Sequence, residues 1–282
     1  MSKRIIARLD IKNSDLVKGI QLEGLRVLGK PYIFAEYYYE EKVDELIFID
    51  SVASLYDRNN LHEIVSQTAK KIFIPLTVGG GIRNISDISK LLKSGADRVS
   101  LNTAAIKNPN LINEASHVYG SSTIVVTIEA IKSKNGEYYA YTDNGREFTG
   151  IEVFGWAREV EKRGAGEIII TDVTRDGTGE GINLELVKKI SSIVKIPVTA
   201  HGGVGNVGHI SETLLNSNVS GIAIASLFHY NAIKKIEKRS SISFDGNSSY
   251  LNRGEKYLNF EETNVFEIKK QLNSLGINVR DI

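Results

Sequence analysis

The sequence contains no cysteine, which excludes disulfide bonds, thiolate catalysis and cysteine-ligated zinc and makes a reducing cytoplasm the expected compartment. Its net charge is only +1, so nothing favours binding to nucleic acid or to a membrane surface. No apolar run approaches the roughly 20 residues of a membrane span. The opening stretch MSKRIIARLD is too polar for a signal peptide. What remains is typical of a globular protein: 282 residues, 41% of them hydrophobic and 24% charged.

Eight short apolar runs alternate with polar segments that have helical spacing. This alternation is typical of parallel strands buried on both faces, and eight such units predict a single (β/α)8 barrel over residues 1–282. A doubly wound sheet is the alternative, but no G-x-G-x-x-G motif follows the first run. The predicted strands are residues 4–10, 45–50, 73–78, 97–101, 123–129, 167–172, 196–200 and 220–225.

The chain also carries a repeated pattern. PLTVGGGIR contains Gly80 and PVTAHGGVG contains Gly202, about 120 residues later. Asp10 and Glu129, the acidic ends of the first and fifth runs, are separated by a similar interval. The shared spacing predicts two similar half-barrels, with the glycines at the ends of strands three and seven.

The glycine loops predict two phosphate sites. Active sites of such barrels lie at the carboxyl ends of the strands, where glycine lets an anion approach backbone N–H groups and a following helix N-terminus. The next strands end at Asn102 and Thr103 in one half and at Ala225 and Ser226 in the other. An elongated ligand with a phosphate at each end would fit this arrangement. The alternative is that the glycines only relieve crowding at the rim.

Acidic residues close two of the strands. Asp10 and Glu129 are the candidates for general base and general acid, and partial burial would raise the pKa of the acid. Asp176, in TRDGTGEG, is a candidate for binding ligand hydroxyls, and His201, directly before Gly202, is a candidate for ligand contact. The alternatives are helix caps and rim salt bridges. The five histidines lack metal-ligand spacing, so we expect no metal and no cofactor.

A series of motifs in this chain resembles the cyclase subunit of imidazole glycerol phosphate synthase. The resemblance runs from Lys3 to about Tyr230 and resumes at LNSLGINVR. It implies a (β/α)8 barrel of half-barrel origin that receives ammonia from a glutaminase partner. That barrel uses the ammonia to cleave and cyclise a bis-phosphorylated ribulosyl carboxamide intermediate. The motifs are KRIIARLDIK, LVKGIQLEGLRVLGKP, DELIFID, PLTVGGGIR, GADRVSLNTAA, RGAGEIIITDVTRDGTGEG and ASLFHY.

The resemblance also implies roles for individual residues. Asp10 falls on the catalytic base, Glu129 on the catalytic acid, and Lys18 in the flexible loop after strand one. The first phosphate site comprises Gly81, Asn102 and Thr103. The second comprises Asp176, Gly177, Gly203, Ala225 and Ser226. A charged ammonia gate at the glutaminase-binding, N-terminal face of the barrel comprises Arg4, Glu45, Arg98 and Glu167.

The chain departs from this family at several positions. Glu129 stands where aspartate is usual, Arg8 and His201 replace small residues, and Arg98 replaces lysine. Residues 231–264 form an expected surface insertion that contains RSSISFDGNSSYLNRG. These departures, and SLYDRNN at 54–60, resemble paralogues that supply ammonia for amidination of surface-polysaccharide sugars. That function, a non-catalytic phosphate-binding barrel and the sister isomerase of the histidine pathway are the alternatives.

Overall fold

The computed structural model describes residues 2–52, 61–239 and 260–280. The part of the chain that it describes contains twelve strands in one sheet. They are β1 (Arg4–Lys12), β2 (Asp15–Ile20), β3 (Glu23–Gly29), β4 (Glu45–Asp50), β5 (Leu76–Gly79), β6 (Arg98–Leu101), β7 (Ile124–Lys132), β8 (Tyr138–Thr142), β9 (Glu147–Glu152), β10 (Glu167–Asp172), β11 (Val198–His201) and β12 (Gly221–Ile224).

Eight of the strands form a closed, entirely parallel barrel in the order β1, β4, β5, β6, β7, β10, β11 and β12, with β12 pairing back to β1. The (β/α)8 prediction is therefore confirmed, and each barrel strand begins and ends within three residues of its predicted limits. Because all eight strands run the same way, their carboxyl ends meet at one mouth.

Helices surround the barrel and cover its outer face. They are α1 (Pro31–Glu40), α2 (Leu61–Ala69), α3 (Ile85–Lys93), α4 (Thr103–Lys107), α5 (Asn110–Tyr119), α6 (Val153–Lys162), α7 (Leu184–Ile193), α8 (Val207–Asn216), α9 (Ser226–Arg239) and α10 (Val265–Ser274). Their buried aliphatic and aromatic side chains pack on the outward-facing strand residues in one large core. Across the described residues, none of these helices has the length and apolarity that a bilayer crossing requires.

Two antiparallel hairpins, which the sequence analysis did not predict, rise above the mouth. β2 and β3 follow β1, and β8 and β9 follow β7, so strands one and five of the barrel carry equivalent extensions. We call them the first hairpin and the second hairpin. Their placement at the same point of each half fits the predicted duplication.

The glycine loops show the same two-fold relation in detail. A side chain at Gly80 would come within 2.5 Å of the Asp50 carbonyl oxygen, and one at Gly202 within 2.7 Å of the Asp172 carbonyl oxygen. Asn84 and Asn206 then cap α3 and α8, each by accepting a hydrogen bond from the backbone N–H three residues on. The glycines are therefore required because the chain turns closely against the neighbouring strand.

The barrel interior is layered. Above the N-terminal end lies a small apolar layer that separates two polar regions, and it consists of Ile6, Ile47, Val125, Ile169 and Ala223. On β1 the alternation of a strand sends Arg4, Ile6, Arg8 and Asp10 to the inside in turn, so one strand contributes to both polar regions.

Two expectations fall partly outside the described residues. SLYDRNN, at 54–60, lies entirely outside them, and so do residues 240–259 of the expected insertion. Residues 231–239 continue α9. The extent of the domain and the insertion stay predictions.

Candidate active site

The larger of two cavities that the described residues form at the mouth lies over the ends of β5, β6 and β7. Its volume is about 220 Å³, and its lining includes Gly81, Asn102, Thr103, Glu129 and Arg8. The structure thus brings the first predicted phosphate site and the predicted acid into one cavity.

Backbone geometry makes this cavity suitable for an anion. Gly80 and Gly81 have positive φ angles of 100° and 69°, a backbone conformation that glycine adopts readily. Because both residues are glycines, no side chain blocks the approach of an anion to the loop backbone. Thr103 begins α4, and the preceding Asn102 makes no side-chain cap of that helix. The Asn102 Oδ1 atom is buried without a hydrogen-bond partner among the described residues. Unused polar groups of this kind are what a ligand would satisfy.

The second cavity lies over the ends of β11 and β12 and is much smaller than the first. Its volume is about 10 Å³, room for about one water molecule. The predicted members of the second phosphate site all line it, together with His201: Asp176, Gly177, Gly203, Ala225 and Ser226. Ser226 begins α9, and its buried Oγ has no partner in the described part of the chain. A phosphate would enter only after the surrounding groups move.

A buried ion-pair cluster separates the two cavities. Lys18, on the first hairpin, lies 2.7 Å from Asp176 Oδ2 and 3.3 Å from Asp10 Oδ2. Asp10 and Lys18 are only 1% and 2% exposed. The predicted base and loop lysine therefore lie together at the centre of the mouth, in contact with each other.

Arg8 extends this cluster into the barrel. Its Nε donates to Asp10 Oδ1 at 3.0 Å, and its Nη1 lies 3.2 Å from Thr171 Oγ1 and 3.1 Å from His201 Nδ1. Because the guanidinium can only donate, Nδ1 of His201 accepts and Nε2 carries the proton. Nε2 lies 3.6 Å from Asp176 Oδ1. Burial, with the charges of Arg8 and Lys18, holds the pKa of His201 well below its usual value, so the ring is neutral.

The two predicted catalytic carboxyl groups have opposite surroundings. Burial raises the pKa of Asp10, but the nearby Arg8 and Lys18 charges outweigh it and hold that pKa below its usual range. Burial raises the pKa of Glu129 to about 7, although the Arg8 charge and the Gly145 N–H, which donates to Oε2 at 2.8 Å, act to lower it. Near neutral pH, Asp10 is an anion and Glu129 is about half protonated.

The hairpins form the cover of the cluster. The Gln21 N–H donates to the Asp176 carbonyl oxygen at 2.7 Å, and its Nε2 donates to the Thr174 carbonyl oxygen at 2.9 Å. Asn144, in the turn of the second hairpin, donates to the Leu22 carbonyl oxygen in the turn of the first at 2.8 Å. The hairpin turns thus meet over the mouth.

At the other end of the barrel the four predicted gate residues form a closed ring of ion pairs. Arg4 pairs with Glu45 at 3.1 Å and with Glu167 at 2.7 Å. Arg98 pairs with Glu167 at 2.6 Å and also with Glu45. Burial opposes ionisation of Glu167, but hydrogen bonds and charge from Arg4 prevail and lower its pKa. All four are the first residues of their strands.

Sequence reasoning noted Arg8 only as a departure and missed its central position. The signal was available: Arg4, Arg8 and Asp10 alternate along β1, so all three were bound to share the inner face. Ser100 and Thr127, whose hydroxyls lie 2.6 Å apart beside the larger cavity, were missed for the same reason. Within the described residues, no cluster of three or more His, Asp or Glu side chains is arranged to hold a metal ion.

The fold and the mouth define a (β/α)8 barrel with two related anion-type cavities around a carboxylate centre. The sequence profile of the family described as "Histidine biosynthesis protein" matches residues 4–234, and the chain belongs to this family.

Three relatives named "Imidazole glycerol phosphate synthase subunit HisF" are similar to the chain. The Legionella pneumophila protein is 55% identical over 204 residues, 72% of this chain and 96% of the relative. The Alkaliphilus metalliredigens protein is 42% identical, covering 83% of this chain and 92% of the relative. The Methanocaldococcus jannaschii protein is 43% identical, covering 84% and 95%.

Proposed function

We propose that this chain is the ammonia-using cyclase subunit of an imidazole glycerol phosphate synthase. It converts a bis-phosphorylated ribulosyl carboxamide intermediate, together with ammonia, into two products. These are imidazole glycerol phosphate and an aminoimidazole carboxamide ribotide. The observation that carries the proposal is the pair of related glycine-loop cavities, with Asp10 in the cluster between them and Glu129 in the lining of the larger one. An elongated substrate with a phosphate at each end would place its reacting centre between those carboxyl groups.

The two carboxyl groups suit different tasks. Glu129, with a pKa of about 7, can give and recover a proton near neutral pH, which is what a general acid requires. Asp10 is held as an anion by two cations, which makes it a weak base in this arrangement. Removing Lys18 from Asp10 would raise the proton affinity of the carboxylate, because one neighbouring positive charge would be gone.

Substrate entry would separate Lys18 from Asp10. Lys18 belongs to the first hairpin, and the hairpin covers the path between the two cavities. A ligand that reaches both phosphate sites must displace the hairpin, and Lys18 would then leave Asp10 for a phosphate or a substrate oxygen. Movement of the hairpin would thus both admit the substrate and make Asp10 a stronger base.

A glutaminase partner at the N-terminal face supplies the ammonia. The relatives' name identifies each of them as a subunit, which supports an assembly of this kind. Ammonium, the dominant form at neutral pH, has no free lone pair for attack, so direct transfer into the barrel keeps the nucleophile unprotonated. The ring of Arg4, Glu45, Arg98 and Glu167 closes the entrance on that face and is the proposed gate.

The alternatives from the sequence receive no support from the comparisons. The three relatives carry the synthase name at 42–55% identity, and none carries a polysaccharide or isomerase name. Nothing in the comparisons favours a non-catalytic barrel.

Substitution of Asp10 tests the proposed chemistry. With ammonium salt as nitrogen source, Asp10→Asn is expected to lower turnover of the ribulosyl intermediate by about 10²–10⁴-fold, because the shape is kept and the proton acceptor is lost. Asp44→Asn is the matched control, since Asp44 is another buried aspartate paired with a lysine, Lys269, at 2.7 Å but lies away from the mouth. A loss below tenfold for Asp10→Asn, or an equal loss in the control, would remove Asp10 from the mechanism.

A further inference from the structure

Arg8 is a buried arginine whose position no fold requirement explains. It lies on the inner face of β1, is 1% exposed, and sits between the apolar interior layer and the mouth. A guanidinium taken out of water is costly unless its donors are paired. The hydrogen-bond partners of its three guanidinium nitrogens therefore indicate the role of this residue.

Two of the three guanidinium nitrogens are held in place. Nε is fixed by Asp10, and Nη1 by Thr171 and His201. The third nitrogen, Nη2, is buried and has no partner among the described residues. A buried donor left unpaired costs about 1–3 kcal/mol, and more for a charged group. The contacts of Nε and Nη1 thus fix the orientation of Nη2, a strong donor that forms no hydrogen bond with the described residues.

Charge balance alone does not account for Arg8. Lys18 is shared by Asp10 and Asp176, so charge balance explains a second cation, but neutralising a carboxylate does not require a nitrogen that binds nothing. Arg8 is also the member of this cluster that lines the larger cavity, where Glu129 is its neighbour. Through His201 it contacts a side chain that lines the smaller cavity. Arg8 therefore stands midway between the two phosphate sites.

We propose that Arg8 is a catalytic residue whose Nη2 donates a hydrogen bond to the ketone oxygen of the ribulosyl chain. This rests on the proposed function, which places the ketone near the middle of a ligand held at both ends. Oriented donors aimed at an oxygen that gains charge are among the largest contributors to catalysis.

The step that Arg8 assists balances without any further reactant. The ammonia lone pair forms the C–N bond, and the π pair of the carbonyl moves onto its oxygen. Nη2 stabilises that oxygen while the Glu129 carboxyl protonates it, and Glu129 then recovers a proton from the attached nitrogen. Loss of water from the carbinolamine gives the imine.

Kinetics give the first test. Arg8→Met keeps length and removes the donors, so with ammonium salt kcat is expected to fall by about 10²–10³-fold while KM changes less than threefold, because the hydrogen bond is weak to the neutral ketone and strengthens as the oxygen gains charge. A rise in KM with kcat unchanged would overturn the proposal, since Arg8 would then act only in binding.

Spectroscopy on the bound substrate gives a second test that needs no turnover. The intermediate, labelled with ¹³C at the ketone, is bound to the chain without any nitrogen source, and its carbonyl stretch is recorded by difference infrared spectroscopy. In the wild-type chain the stretch is expected to lie below that of the free compound, and Arg8→Met should return it most of the way. If Arg8→Met does not fold, Arg8→Lys, which keeps the charge but not the three-nitrogen geometry, is expected to do the same.

The outcomes separate the two proposals. Binding with an unshifted carbonyl stretch in the wild-type chain, or with a shift that survives substitution of Arg8, would overturn the role of Arg8 and leave the proposed function standing. Failure of the intermediate to bind the wild-type chain would overturn both.

Discussion

Asp10 and Glu129 occupy one barrel mouth, yet their protonation is set in opposite directions by their immediate neighbours. Asp10 has a cation on each oxygen, from Arg8 and from Lys18. For Glu129, burial outweighs the Arg8 charge and the single backbone N–H that it accepts. Pairs of titratable groups driven apart in this way are typical of acid–base sites.

The raised pKa of Glu129 predicts a pH-dependent stability. Between about pH 5 and pH 7 the folded protein keeps a proton that the unfolded chain releases, so the free energy of unfolding falls as pH rises through this range. Glu129→Gln removes this dependence. Relative to the wild type, its free energy of unfolding is expected to gain about 2 kcal/mol between pH 5 and pH 8.

Denaturant titrations of both proteins at the two pH values measure this difference. Glu185→Gln is the control, because Glu185 is exposed and its hydrogen bond with Lys132 lowers its pKa. A relative stability of Glu129→Gln that stays constant with pH would show that the pKa of Glu129 is not raised.

The first hairpin is the element that connects binding with chemistry. It carries Lys18 to Asp10, holds Asp176 through the Gln21 N–H, and covers the path between the cavities. Its packing is close: a side chain at Gly177 would come within 2.5 Å of the Gly19 carbonyl oxygen. The closed state is therefore defined by backbone contacts as well as by ion pairs.

Gly19→Ala is expected to open this hairpin. The new methyl group would overlap the Glu23 carbonyl oxygen within the same hairpin, so β2 and β3 could not keep their pairing. Amide hydrogen exchange should become faster across Asp15–Gly29 and stay unchanged in β4 and β10. KM for the substrate should rise, because a disordered hairpin would no longer hold Lys18 where it can contact a phosphate or a substrate oxygen.

Gly24→Ala is the matched control. Gly24 lies in the same hairpin with a positive φ of 62°, but no atom lies near its missing side chain. It should cost about 1–2 kcal/mol of backbone strain without displacing β2. Exchange that accelerates equally in both variants would show that any substitution loosens the hairpin and that the close packing at Gly19 is not the cause.

At the scale of the whole molecule, the barrel separates two polar ends by an apolar layer. The ion-pair ring lies at one end and the carboxylate cluster at the other, with the Ile6 layer between them. Only an uncharged molecule passes such a layer cheaply, because burying an ion in apolar surroundings costs several kcal/mol. This division suits transfer of ammonia rather than ammonium.

Glu167→Gln tests whether the ring acts as a gate. Glu167 accepts from Arg4, Arg98 and Thr199, and an amide offers only one acceptor oxygen in its place. With the glutaminase bound, the glutamine-dependent rate is expected to fall at least tenfold more than the rate with ammonium salt. Only the first reaction needs the gated route.

Glu185→Gln again supplies the control, since Glu185 forms an exposed pair with Lys132 at 2.7 Å and should affect neither rate. If Glu167→Gln lowered the rates with both nitrogen sources equally, the ring would have only a structural role.

The barrel and its duplication could be predicted from the sequence, and so could the end of the barrel at which the candidate residues meet. Barrel strands are buried on both faces, so their apolar runs stand out in the sequence, and Glu45–Asp50 and Glu167–Asp172 have their predicted limits. The glycines at 80 and 202 and the acids at 10 and 129 mark strand ends, and all parallel strands end at one mouth.

The contacts within the candidate site could not be predicted from the sequence and come from the three-dimensional fold. The two hairpins were missed because their strands are partly exposed and mix polar with apolar residues, as EGLRVLG in β3 does. The contacts of Arg8 with His201 and of Lys18 with Asp176 join residues more than 150 positions apart. No local pattern encodes such contacts, because barrel closure and the folding of a hairpin over the mouth bring them together.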